Sequence, residues 1–135
     1  MIRPLVAASL CGLLLAGCSP GGGKADAKDP YAGLSGQIVA WHTDLEANHV
    51  ACKTKVKGHG CDSFEVTCKA MQEITPDETA KGVTAQVVAA MTFDGRNADG
   101  SSGQSGSAFA LFSKAGGQWT RTEAMPVNMQ TCAPL

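Results

Sequence analysis

The stretch HVACKTKVKGHGCDSFEVTC, residues 49–68, gathers three cysteines and two histidines within twenty positions. Thiolates and imidazoles are the donors of structural zinc sites, and paired thiols are equally the material of disulfides. Zinc sites usually present ligand pairs two to four residues apart. Here Cys52, Cys61, Cys68 and the later Cys132 are separated by 8, 6 and 63 intervening residues. His49-x2-Cys52 and His59-x-Cys61 are close pairs, but neither has a matching second half. At these cysteines the spacing favours cystine over metal. Four cysteines allow three connectivities. The pairing expected is Cys52–Cys61, closing a short lysine-rich loop, with Cys68–Cys132, tying the C-terminal tail to the rest.

A second constellation precedes it. His42, Glu46 and His49 stand at i, i+4 and i+7, within about 60° of arc on a helix of 3.6 residues per turn. Imidazole and carboxylate on one helix face are suitable donors for zinc or copper. The alternative is a solvated helix flank on which Glu46 pairs with the histidines. Lys53, Lys55 and Lys57 alternate along the next segment. If extended, they form one basic edge, suited to anionic headgroups or an acidic partner, or simply to protecting an edge strand from unwanted pairing.

Other arrangements do not meet the chemistry. Gly103-Gln104-Ser105-Gly106 lies in a polar stretch and lacks the spacing of a nucleophile elbow. A calcium loop around Asn97-Ala98-Asp99-Gly100 would have Gly95 and Gly106 at its first and twelfth positions, where carboxylates are needed. No glycine-rich run carries the lysine of a phosphate-binding loop. No catalytic constellation is visible, so the expectation is a non-enzymatic binding or accessory domain. The alternative is a metal- or small-ligand-binding protein using the His42/Glu46/His49 flank.

Whether the cysteines oxidise depends on where the chain resides, and the N-terminus, MIRPLVAASLCGLLLAGCSP, bears on that. Arg3 precedes an apolar run from Leu5 to Ala16, shorter than the roughly 20 residues a membrane span requires. A charged start, a short apolar core and small residues at its end are the marks of a secretory signal peptide. The ending Leu15-Ala16-Gly17-Cys18 resembles the lipobox of bacterial lipoproteins. The resemblance covers residues 1–18. It implies removal of residues 1–17, a diacylglyceryl group on Cys18 and attachment to a membrane through acyl chains, each buried methylene contributing about 0.8 kcal/mol. By the family's sorting rule, Ser19 after the cysteine points to the outer membrane, facing the periplasm, with the outer face of the plasma membrane as the alternative. In such an oxidising compartment disulfides form and persist.

The 135-residue chain holds 11 Lys and Arg against 12 Asp and Glu. A near-neutral balance argues against nucleic acid, whose binding rests on phosphate neutralisation. The expected partners are therefore the membrane, through the anchor, and another envelope protein.

The elements that must position these residues follow from periodicity. Residues 18–33 combine the lipidated cysteine with a glycine- and charge-rich tether. Over residues 34–51, Leu34, Ile38, Trp41 and Leu45, continued by Cys52, follow one helical stripe, with Ser35 a candidate N-cap. Beyond it the period changes to two. Phe64, Val66, Cys68 and Ala70 alternate with polar residues, and Val83, Ala85, Val87, Ala89, Met91 and Phe93 share one face. Thr75-Pro76-Asp77-Glu78 has the form of a capping box opening a turn or two of helix. Residues 94–106 read as a polar glycine-rich loop. Residues 107–114 and 118–125 read as a hairpin turning at Ala115-Gly116-Gly117. The sum is a single α+β domain over 34–135: one N-terminal amphipathic helix across a four- to five-stranded antiparallel sheet, stapled by disulfides.

Overall fold

The computed structural model describes residues 29–135; the signal segment, Cys18 and the greater part of the tether lie outside the described residues. Helix α1 (Leu34–Asn48) leads into a 3-10 turn (Val50–Cys52), and four strands follow: β1 (Cys61–Met71), β2 (Val83–Arg96), β3 (Ser102–Ala115) and β4 (Gln118–Glu123). A one-turn helix α2 (Pro76–Ala80) joins β1 to β2. The strands form one antiparallel meander in the order β1-β2-β3-β4.

The stripe read from the sequence is the buried face of α1. Leu34 and Trp41 are 1% exposed and Leu45 is 8% exposed, with Ile38 packed at their margin. They meet Val87, Ala89, Met91, Phe93, Ala110 and Phe112 from the helix-facing side of the sheet. Trp41 stands edge-on to Phe112, ring centroids 5.8 Å apart, in the arrangement that favours aromatic quadrupoles. Ser35 does not cap the helix. Gly33, left-handed at φ 81°, occupies the N-cap position. The turn before α1 is part of the domain, because the Trp119 indole N–H donates to the Ala32 carbonyl at 2.9 Å and Tyr31 packs on the core.

The capping box of α2 forms as read. The Thr75 hydroxyl oxygen accepts the Glu78 backbone N–H, while the Glu78 carboxylate accepts the Thr75 N–H. The Glu78 carboxylate also accepts from the side-chain amide of Gln86, the one buried polar residue of β2. The Thr75 backbone N–H, the Gln86 amide and the Thr75 hydroxyl hold the Glu78 carboxyl below its usual range.

Three readings of the strands are corrected. Residues 94–106 are not mostly loop: β2 runs through Arg96, β3 begins at Ser102, and only 97–101 turn between them. The glycines that read as loop serve the ladder at Phe93↔Gly106, where a side chain on Gly106 would run into the Phe93 ring. Second, Phe64, Val66, Cys68 and Ala70 do not share a face. Val66 pairs with Met91 and Cys68 with Ala90, so two steps along β1 are taken against one along β2. This bulge at Thr67 reverses the phase. Phe64 and Val66 join the core under α1, whereas Cys68 and Ala70 turn to the opposite side. Third, the sheet is covered on both faces. On the far side Cys68, Val88, Ala90, Val127 and Cys132 make a second cluster beneath the C-terminal segment 124–135. The hairpin expected between β3 and β4 forms, but Ala115 pairs with Gln118 and the turn narrows to Gly116-Gly117, with φ of 57° and 78°, a conformation in which glycine carries no Cβ penalty.

Both disulfides are present with the expected partners, Cys52–Cys61 and Cys68–Cys132. The first fastens the turn after α1 to the start of β1. The second fastens the tail to the middle of β1. Among the described residues no helix is long and apolar enough to cross a membrane.

Candidate functional site

One end of the domain concentrates the residues with chemical potential. The chain enters α1 beside Trp119 at the β3–β4 hairpin, and α1 runs roughly 22 Å toward the opposite end. There its last turn and Ser107 and Ala108 of β3 line one cleft, the backbone of Ala51 packs on Gly95, and the Cys52–Cys61 loop closes. Two clefts flank this end of α1.

The sequence placed His42, Glu46 and His49 on one helix flank; the fold gives each a different task. The His42 ring lies 3.9 Å from the Phe64 ring, centroid to centroid, at the mouth of a cleft of about 750 Å³ shared with His59, Asp62 and Arg96. His49 has left the helix as its C-cap, with extended backbone. Its Nδ1 accepts the Ala51 N–H at 3.1 Å and caps the 3-10 turn, while its ring stands edge-on to Phe93 at 4.7 Å. It lines the other cleft, of about 390 Å³. Glu46 points to neither histidine. Its two carboxylate oxygens accept the backbone N–H groups of Gly60 (2.6 Å) and Cys61 (2.9 Å). The helical spacing holds only to residue 48, so the i+7 relation to His49 is broken by the cap.

Glu46 thereby becomes the clamp of the disulfide loop. Its carboxylate also lies over the bridge, within 4.8 Å of both sulfurs, but those sulfurs are bonded to each other. Gly60 is obligatory here, because a Cβ would strike the Cys52 carbonyl. Glu46→Ala would leave two half-buried backbone donors unpaired, at a cost of about 1–3 kcal/mol each. The expected result is a loss of about 2–3 kcal/mol in denaturant unfolding, with Glu46→Gln retaining part of it through one remaining acceptor. An unchanged midpoint in Glu46→Ala would show that the bridge alone orders the loop.

The lysine run is not an extended edge. Residues 53–60 form an irregular loop in which only Val56 and His59 bridge, and Lys57 takes a φ of 51°. A bridge between Cys52 and Cys61, Cα atoms 5.0 Å apart, leaves the intervening residues no room to run straight. Lys55 folds back onto α1, its ammonium donating to the Glu46 carbonyl and lying 3.8 Å from the carboxylate. Lys53 and Lys57 remain exposed.

The smaller cleft contains groups the sequence did not single out. Arg121 on β4 donates to Asp44 on α1 at 2.8 Å, and Asn48 donates to the other Asp44 oxygen at 2.7 Å. The Asn48 amide first, and then Arg121, hold the Asp44 carboxyl below its usual range. Glu123, Val50 and the β3 residues Ser107 and Ala108 complete the wall. Asp44–Asn48 is an i, i+4 pair and was legible; Arg121, 77 residues away, was not. No protein family, curated protein or solved structure matches this chain.

Proposed function

We propose that this chain is a lipid-anchored protein of the bacterial cell envelope whose single α+β domain serves as a non-enzymatic binding or accessory module. The lipobox-like Leu15-Ala16-Gly17-Cys18 carries the reading. The pairing of all four cysteines of the domain into two disulfides supports it, since disulfides persist in an oxidising compartment. Ser19 favours the periplasmic face of the outer membrane. The chemistry-bearing end lies away from the point at which the anchor's tether enters, which suits a module that presents one end to a partner. At that end three side chains are engaged in structural bonds: Glu46 clamps a loop, His49 caps a turn and Asp44 holds Arg121. Such an arrangement favours recognition over catalysis.

The test is expression of the full chain in a bacterial host fed labelled palmitate. The expected result is label on the wild-type protein, recovery with membranes, and no free thiol before reduction. Cys18→Ser should abolish labelling and the cleavage that removes 17 residues. Unprocessed chain in the cytosol with reactive thiols would overturn the proposal.

A further inference from the structure

β3 is covered unequally. β4 accompanies it only along Ala110–Ala115, and one further bond, from the Ala124 N–H to the Phe109 carbonyl at 3.1 Å, ends the ladder. Ala110 pairs with Glu123, and continuing that register places Pro126 opposite Ser107. Backbone groups alternate in direction along an antiparallel strand. Because the Phe109 carbonyl faces β4, Ser107 and Ser105 turn their N–H and C=O the same way. Position 126 would have to donate to the Ser107 carbonyl, and proline has no N–H. The chain therefore leaves the sheet, Met125 swings out to 82% exposure, and Val127 is buried on the far face. No backbone bond links Ser105 or Ser107 to any segment on that side among the described residues.

The bare edge is unguarded. Residues 102–109, SGQSGSAF, contain no charge and no proline, whereas exposed edges are ordinarily protected by such residues. Above the edge lies the 390 Å³ cleft under the end of α1. Its charges are unbalanced: the carboxylates of Asp44 and Glu123 face the single cation Arg121. The last turn of α1 has no basic residue to offset the negative end of its dipole. β4 itself shows what this line of the sheet accepts, for Arg121 projects toward α1 and bonds Asp44. Glu123 fills the next position facing α1, and the one after it, which residue 125 would have filled, is vacant.

We propose that the Ser102–Ala108 edge of β3 takes up an extended segment of a partner protein by strand addition, with a lysine or arginine of that segment directed into the cleft between Asn48, Val50 and Glu123. Main-chain bonds to Ser105 and Ser107 supply the attachment, and the basic side chain supplies the selectivity. This names the surface of the binding module proposed above and rests on that reading. Its failure is visible in backbone protection alone, whereas failure of the anchored-module reading is visible in labelling and fractionation.

The test is amide exchange of the 15N-labelled full chain in detergent micelles with the probe peptide acetyl-Thr-Val-Lys-Val-Thr-amide. At saturation the Ser105 and Ser107 amides should exchange at least about ten-fold more slowly. The same peptide with glutamate for lysine should bind about ten-fold more weakly. Ser107→Pro, at an edge position that tolerates proline, should abolish the protection of Ser105. Glu123→Lys, an exposed change that leaves the ladder intact, should reverse the preference toward the glutamate probe. Equal binding of both peptides, or unprotected amides at saturation, would overturn the proposal. So would concentration-dependent protection without peptide, which would assign the edge to a second copy of this chain.

Discussion

Replacing Cys68 and Cys132 together by alanine is expected to lower the unfolding free energy by about 4 kcal/mol, against about 2–3 kcal/mol for Cys52 with Cys61. The difference follows from the chain each bridge closes: 64 residues of sequence separation in the first case and 9 in the second. A cross-link restricts the unfolded chain more when the loop is longer. The Cys68–Cys132 bridge also has a local task. The tail 124–135 is held by a small cluster in which Val127 and Cys132 are its only buried residues, and its exposed residues Met125 and Leu135 contribute little burial. Without the bridge the tail should detach and bare Val88 and Ala90. Domains of this size are stable by only about 5–15 kcal/mol, so the loss is a large share. Guanidinium unfolding of both double variants, read as midpoint and slope, provides the comparison. Equal losses for the two pairs would refute the loop-length account.

Trp41→Ala should cost about 3–5 kcal/mol, the range for removing a large buried aromatic. Trp41 is 1% exposed and is the largest of the fully buried side chains. It lies between α1 and the sheet, against Phe112, so its removal opens a cavity in the middle of the helix–sheet interface. Helix propensity cannot compensate, because an isolated 15-residue helix is marginal in water. Trp41→Leu should recover part of the loss and stay folded if the alanine variant does not. Val39→Ala on the same helix, where Val39 is 64% exposed, should change stability by no more than about 0.5 kcal/mol. Thermal unfolding of the three variants distinguishes packing from propensity: similar midpoints for Trp41→Ala and Val39→Ala would contradict the assignment of Trp41 to the core.

These effects connect to the clamp at Glu46. The helix is held at its start by Ala32 and Trp119, in its middle by Trp41, and at its end by Glu46 and the Cys52–Cys61 bridge. Each fixation sets the position of the last turn, which forms one wall of both clefts. Loosening any of them should therefore disturb the distal end before it unfolds the sheet.

Local pattern determined a good deal here. The stripe Leu34, Trp41, Leu45 gave the buried helix face because a 3.6-residue period is enough to define one. Thr75 and Glu78 specified a capping box because all its bonds lie within four residues. Gly116-Gly117 specified the hairpin because few other residues adopt positive φ at no cost. Long-range readings fared differently. His42, Glu46 and His49 looked like a ligand set because spacing reports which face a residue shares, not which backbone donors will approach it. Gly60 and Cys61 lie beside Glu46 because the lysine loop, closed by the Cys52–Cys61 bridge, returns to the end of α1. The bulge at Thr67 left no mark in the alternation of residues 64–70, yet it sends Cys68 to the face where Cys132 waits.

The helix, the hairpin and the capping box were legible in the residues alone, since each depends on neighbours a few positions apart. The two-sided sheet, the Arg121–Asp44 pair, the task of Glu46 and the bare edge at Ser105 and Ser107 emerge only in the folded chain. Those depend on register, and register is settled by which distant strands and sulfurs meet.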